Sequence, residues 1–518
     1  MIRSILLAAL LAAAAPPPPY DLLIRHGTVV DGSGAKAFRA DLAVQDGRIV
    51  KIGDLAGARA AREIDASGLV VAPGFIDVHT HADDVAEKPG AENFLRMGVT
   101  TVVAGNCGSS PVEIGKALDG IRKARPAINF ATLVGHGSVR HEVMGDANRA
   151  PTPAEMERMK ALVAQAMKDG AVGLSTGLQY VPGTYAEPAE IVELARVACR
   201  AGGLYASHMR NEGTELEKAV SETIAVGESA GCPVEVSHLK VDSPKNWGAS
   251  EKALALLDAA RARGLDVEAD QYAYTAAASS LSIRFPSWAL AGGDEEVRKR
   301  LDDEATWAKI RTDMKGLLAE RGFQDLSFAV VADYPPDPSL QGLSMKEVAK
   351  RLVGSDTAEA QFEAARKMLR AGDASMVYHF MSEGDVERIL RHPWVAVASD
   401  GFIQTFGEGA PHPRNYGNNP RVLGLYVRDK KVLPLEEAVR KMTSLPAAHF
   451  RLQGRGLVKE GYAADLVVFD PAKVADTATF EKPHAWAAGI PYVVVNGVPG
   501  SDHGTPTGDR AGQVLTRP

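Results

Sequence analysis

The chain has 518 residues, 45% of them hydrophobic and 24% charged, which is enough to bury a large core and excludes a disordered or fibrous protein. Its formal net charge is −7, and no Lys/Arg stripe interleaved with aromatics appears. That excludes the basic field a nucleic-acid binder needs and favours a small-molecule substrate.

Residues 1–15 carry a short positive start, an apolar stretch and a small-residue end, the layout of a secretory signal too short to act as a membrane anchor. The expected location is therefore periplasmic or secreted. Three cysteines, Cys107, Cys199 and Cys232, form no framework spacing. Cys199 and Cys232 read as small buried hydrophobes, so the fold is not expected to depend on a disulfide.

Residues 20–72 hold β runs with turn signals, and similar runs recur in 448–518, around Leu466–Phe469 and Tyr492–Val495. The two flanks predict one small β domain built from both chain ends. Between them, residues 73–447 repeat an apolar β run, a loop and an amphipathic helix, the rhythm of an α/β fold with parallel strands. Eight strands are expected: Phe75 to His81, Thr100 to Cys107, Ile128 to His136, Val172 to Gly177, Leu204 to His208, Val234 to His238, Val267 to Tyr272 and Val395 to Asp400. Eight units suggest a closed (β/α)8, TIM-like barrel. Thr152-Pro153-Ala154-Glu155 predicts a capped helix start, with Gly170 at its end. Between strands 7 and 8, residues of about 282–390 are too many for a plain connection and predict an insertion, either a lid or a surface subdomain.

In such a barrel the C-terminal strand ends share one mouth, so residues far apart in sequence meet there. His79 and His81, two apart on an extended segment, point the same way. Cys107 ends the second strand, His208 the fifth, His238 the sixth and Asp400 the eighth. Thiolate, imidazole and carboxylate are donors zinc accepts, and six such residues at strand ends predict a catalytic metal centre.

Asp77-Val78-His79-Thr80-His81, Asn106-Cys107-Gly108, Ser207-His208-Met209-Arg210-Asn211-Glu212, Ser237-His238-Leu239-Lys240 and Ala398-Ser399-Asp400-Gly401 resemble the N-acyl-D-amino-acid deacylases (D-aminoacylases) of the amidohydrolase superfamily. The resemblance spans essentially the whole mature chain. It implies one tight zinc on Cys107, His208 and His238, a second weaker site on His79 and His81 sharing Cys107, and Asp400 as general base and acid. It implies an N-acyl-D-amino acid as substrate, whose α-carboxylate needs a fixed cation. Arg414 and Lys240 are candidates, a planar arginine suiting a carboxylate better. Tyr180 and Met381 are pocket residues by family position, and His136, ending the third strand, is a candidate donor behind the ligands. Arg284, in Ser282-Ile283-Arg284-Phe285, suits an acidic substrate side chain or an exposed surface charge equally. The preferred side chain and the oligomeric state stay open.

Two other functions compete. Cyclic-amide amidohydrolases of the hydantoinase or dihydroorotase type use a carboxylated lysine on the fourth strand, and Ala171 to Leu178 contains none. A non-catalytic metal-binding scaffold of the same fold is the other, and the presence of Asp400 argues against it.

Overall fold

The structure is a computed structural model and describes residues 19–517; the secretory segment expected at residues 1–15 lies outside the described residues. Parallel strands follow one another in chain order. Phe75–Asp77, Val99–Ala104 and Asn129–Thr132 form one sheet. Val134–Gly135, Gly173–Gly177, Leu204–His208, Val234–Val236, Val267–Gln271 and Val395–Val397 form the next. Gly401–Phe402 pairs in parallel with Thr80–His81, so the last strand returns to the first. The carboxylate of Asp77 reinforces that junction by accepting the backbone N–H of Ser399 (3.0 and 3.1 Å) and of His79 (3.3 Å).

Helices cover the strands because their apolar residues recur at helical spacing. In Pro153–Asp169 the buried positions are Met159, Val163, Ala166 and Met167, one stripe along the axis. Thr152 and Glu155 form the reciprocal capping box, and Gly170 ends the helix at φ 118°. The next helix, Pro188–Arg200, carries a correction. Cys199 and Cys232 are joined as a disulfide, with Cα atoms 5.4 Å apart. Their separation of 33 residues resembled no framework spacing, but stacking of consecutive β/α units brings the helix end against the lead-in to Val234–Val236.

Both chain ends enter one nine-stranded sheet, in which Val70–Pro73 pairs antiparallel with Leu466–Phe469. Between Gln271 and Val395 the chain adds the antiparallel strands Ala276–Ser280, Ala329–Asp333 and Ser375–His379, with the last in the middle. The helices Asp294–Asp302, Glu304–Arg321, Met345–Val353 and Ala358–Ala371 accompany them. The helix Glu383–Arg391 then returns to the ring, where Asp385 accepts the N–H of Gly248 at 2.9 Å. Among the described residues no helix is long and apolar enough to cross a membrane.

Candidate metal centre

Three residues of the predicted centre share a backbone peculiarity. Cys107 (φ 53°), His238 (φ 35°) and Asp400 (φ 52°) occupy the left-handed region, uncommon for residues with a Cβ and a conformation that surrounding structure must enforce. Hydrogen bonds enforce it: Asp400 N–H donates to the His79 carbonyl (2.8 Å), and His238 N–H donates to Asp270 Oδ1 (2.9 Å). For Cys107 the neighbour is the fourth strand, where Ser175 Oγ donates to the Gly105 carbonyl (2.5 Å) and accepts Gly108 N–H (3.1 Å). A Cβ at Gly177 would stand 2.0 Å from the Cys107 carbonyl oxygen. The fourth strand thus offers the centre no lysine, and its end is bare so that the Cys107 turn can pack against it.

Cys107 Sγ lies 3.3 Å from His79 Nε2, 3.5 Å from His238 Nε2 and 3.6 Å from His208 Nδ1. A tetrahedral ion with bonds of about 2.3 Å to sulfur and about 2.0–2.1 Å to nitrogen separates those atoms by about 3.5 Å, so the donors present fit zinc. Donor atoms of His79, Cys107 and His238 lie within 4.8 Å of one another, as do those of His79, His81 and Asp400. Burial opposes ionisation of the thiol, but the imidazoles of His79, His238 and His208 hold it well below its ordinary value.

The ring atoms facing the centre are set from behind. His79 Nδ1 is 3.2 Å from Asp270 Oδ2, and His238 Nδ1 is 2.9 Å from Glu212 Oε1. A ring that donates its Nδ1 proton to a carboxylate leaves the Nε2 lone pair for a metal. Asp270 and Glu212 had no role assigned from the sequence. An acid inside the expected seventh strand, and an acid four residues beyond His208, were the available signals.

Asp400 Oδ2 pairs with Arg414 Nη1 at 2.9 Å, an ion pair without the alignment of a hydrogen bond, while Oδ1 is 3.1 Å from His81 Nε2 and 3.6 Å from His79 Nε2. Despite burial, Arg414 and His81 hold this carboxyl well below the usual carboxylate range. Arg414 is the first residue of the helix Arg414–Arg421, its guanidinium 4.6 Å over the Tyr272 ring and its buried Nε without a partner. Lys240 Nζ is 2.5 Å from Glu212 Oε1 and 2.9 Å from His238 Nδ1, so its charge is already paired. The Tyr180 ring lies tilted 4.6 Å from that of His208, and its hydroxyl is 3.2 Å from Ser279 Oγ.

A cavity of about 810 Å³ opens over His81, Cys107, Tyr180, Ser279 and Arg414. An inner recess of about 30 Å³ continues to Asp400, His208, Lys240 and Arg284. Met381 lines neither, because it lies behind Tyr272 with its sulfur 3.6 Å from the hydroxyl. His136 opens the helix His136–Met144 instead of ending a strand, and its Nε2 faces Glu190 at 2.9 Å, away from the ligands. Arg284 is buried, not on the surface.

Mixed thiol and imidazole donors at parallel strand ends define a class of metal-binding site. Residues 62–499 match the amidohydrolase family, and the chain belongs to it. Within that family the chain belongs to the D-aminoacylase branch. It is 40% identical to a D-aminoacylase of Alcaligenes xylosoxydans xylosoxydans, over 96% of this chain and 98% of that one. It is also 40% identical to an N-acyl-D-glutamate deacylase of the same organism, over 96% of each. The crystal structure of N-acyl-D-glutamate deacylase from Bordetella bronchiseptica, complexed with zinc and a phosphonate mimic of the tetrahedral intermediate, superposes with a TM-score of 0.82 at 37% identity, covering 96% of this chain and 99% of that one.

Proposed function

We propose that this enzyme hydrolyses the amide bond of N-acyl-D-amino acids to a carboxylate and a D-amino acid. The observation that carries the reading is the meeting of one thiol with three imidazole nitrogens at 3.3–3.6 Å beside a buried, arginine-paired aspartate. Cys107, His208 and His238 would hold a tight zinc, with His79 and His81 sharing Cys107 at a weaker second site. An ion there supplies the Lewis acidity that acidifies water and polarises the scissile carbonyl.

The residues supply the rest. Asp400, ionised and with Oδ2 occupied by Arg414, presents Oδ1 to the centre, where it takes a proton from the attacking water. It then gives that proton to the departing amine nitrogen. Arg414 borders the cavity, and its fixed positive charge suits it to the substrate α-carboxylate while it steers Asp400. Lys240, tied to Glu212, holds in place the carboxylate that orients the His238 ring and adds positive charge beside the developing oxyanion. Tyr180 walls the cavity on the His208 side. In this reading the ring is a closed (β/α)8 barrel, and the added segment between Gln271 and Val395, which contributes Ala278, Ser279 and Ser280 to the cavity wall, is its lid. Export to the periplasm or beyond is supported by the Cys199–Cys232 disulfide.

The test is purified protein on paired N-acetyl-D- and N-acetyl-L-amino acids, before chelation, after it, and after zinc is restored. D-selective release that is lost on chelation and regained with zinc is the expected result. No D-selective release from any pair overturns the proposal.

A further inference from the structure

Arg284 stands on the short turn Leu281–Arg284 that follows the added strand Ala276–Ser280, and its side chain borders the inner recess together with Cys107, Lys240 and Asp400. It is 6% exposed, and its Nε is buried with no hydrogen-bond partner. Among the described residues its guanidinium forms no ion pair within 4.0 Å. Its neighbours are ring faces instead: Tyr378 at 4.4 Å, Phe380 at 5.7 Å and Phe328 at 5.9 Å from the guanidinium carbon. The other two cations at the site differ, since Lys240 has Glu212 at 2.5 Å and Arg414 has Asp400 at 2.9 Å.

Aromatic faces stabilise a cation but cannot accept five N–H donors, and an arginine buried without an anion is unfavourable unless a ligand brings one. The guanidinium fork matches a carboxylate in bidentate geometry. The α-carboxylate already has Arg414, so a second carboxylate on the substrate is what Arg284 can receive.

We propose that Arg284 binds the side-chain carboxylate of the substrate, so that the preferred substrates are N-acyl-D-amino acids with an acidic side chain, glutamate or aspartate. The inference rests on the deacylase reading above. Arg414 then takes the α-carboxylate, Arg284 the side-chain carboxylate, and the scissile amide lies by Asp400. Tyr378 and Phe380 lie within and just beyond the strand Ser375–His379, so the added segment supplies both the arginine and its aromatic seat.

The test measures kcat/KM of the zinc-loaded enzyme and of its Arg284→Leu and Arg284→Lys variants on N-acetyl-D-glutamate, -D-aspartate, -D-glutamine and -D-leucine. The native enzyme should favour an acidic substrate over N-acetyl-D-glutamine, its neutral counterpart in shape, by about a hundredfold or more, the scale of one desolvated charge pair. Arg284→Leu should abolish that preference, bringing glutamate and glutamine to similar kcat/KM while zinc content holds, and Arg284→Lys should restore part of it. Equal native rates on glutamine and glutamate, a preference that survives Arg284→Leu, or a uniform loss on all four substrates would each overturn the assignment. Failure on every D-substrate would instead overturn the deacylase reading, so the two outcomes are distinguishable.

Discussion

Replacing Asp270 by alanine removes the common acceptor of two buried donors, His238 N–H at 2.9 Å and His79 Nδ1 at 3.2 Å, at a position only 1% exposed. Each buried donor left without a partner costs about 1–3 kcal/mol, so the apo protein should lose roughly 2–6 kcal/mol. Asp270→Asn separates stability from metal binding. Its amide oxygen can keep the His238 N–H, but its NH2 group then faces His79 Nδ1 and obliges that nitrogen to accept. The ring proton moves to Nε2, the atom 3.3 Å from Cys107 Sγ, and the lone pair offered to a metal is lost. The asparagine variant should therefore lose less stability than alanine, yet bind zinc about 10–100-fold more weakly. Urea unfolding of the apo proteins and zinc competition against a chromophoric chelator measure the two effects. Unchanged zinc affinity in Asp270→Asn, or a loss below about 0.5 kcal/mol in Asp270→Ala, would refute the argument.

Further outcomes follow from other contacts. Asp400→Asn should keep zinc but lower kcat by about 10²–10⁴-fold, and unchanged turnover would remove Asp400 from proton transfer. Reducing the Cys199–Cys232 bond, which closes a separation of 33 residues, should cost roughly 3–4 kcal/mol on chain-entropy grounds. Thiol titration of the unfolded, unreduced protein should find Cys107 alone, and detection of all three thiols would restore the reading of Cys199 and Cys232 as packed hydrophobes. Lys441 is buried under the eighth strand, donating to the Val395 carbonyl at 2.9 Å, and burial pulls its ammonium down from an ordinary 10.5 to about 7. Between those values the unfolded chain binds the extra proton, so this group makes stability rise with pH across the window and imposes its full penalty below it. Lys441→Met should flatten that slope by up to about 1.4 kcal/mol per pH unit, and an unaltered pH dependence of urea unfolding would count against it.

The amino-acid sequence alone placed the strand runs and the polar residues that end them, because both are local. A run such as Leu204 to His208 declares itself by apolar residues followed by a polar one, and the mouth of a parallel ring collects whatever ends each strand. His79, His81, Cys107, His208, His238 and Asp400 were legible for that reason. The supporting shell was not, because it depends on which elements pack together and which way a side chain then points. Asp270 is one more residue on an inward-facing strand until His79, 191 positions away, arrives against it. Met381 and His136 had plausible positions in the chain, yet packing turned one behind Tyr272 and the other toward Glu190. The stacking of neighbouring β/α units decided the Cys199–Cys232 pair, and burial decided Arg284. A lone arginine is a surface charge in sequence and a binding group only once the fold has taken water and every carboxylate away from it.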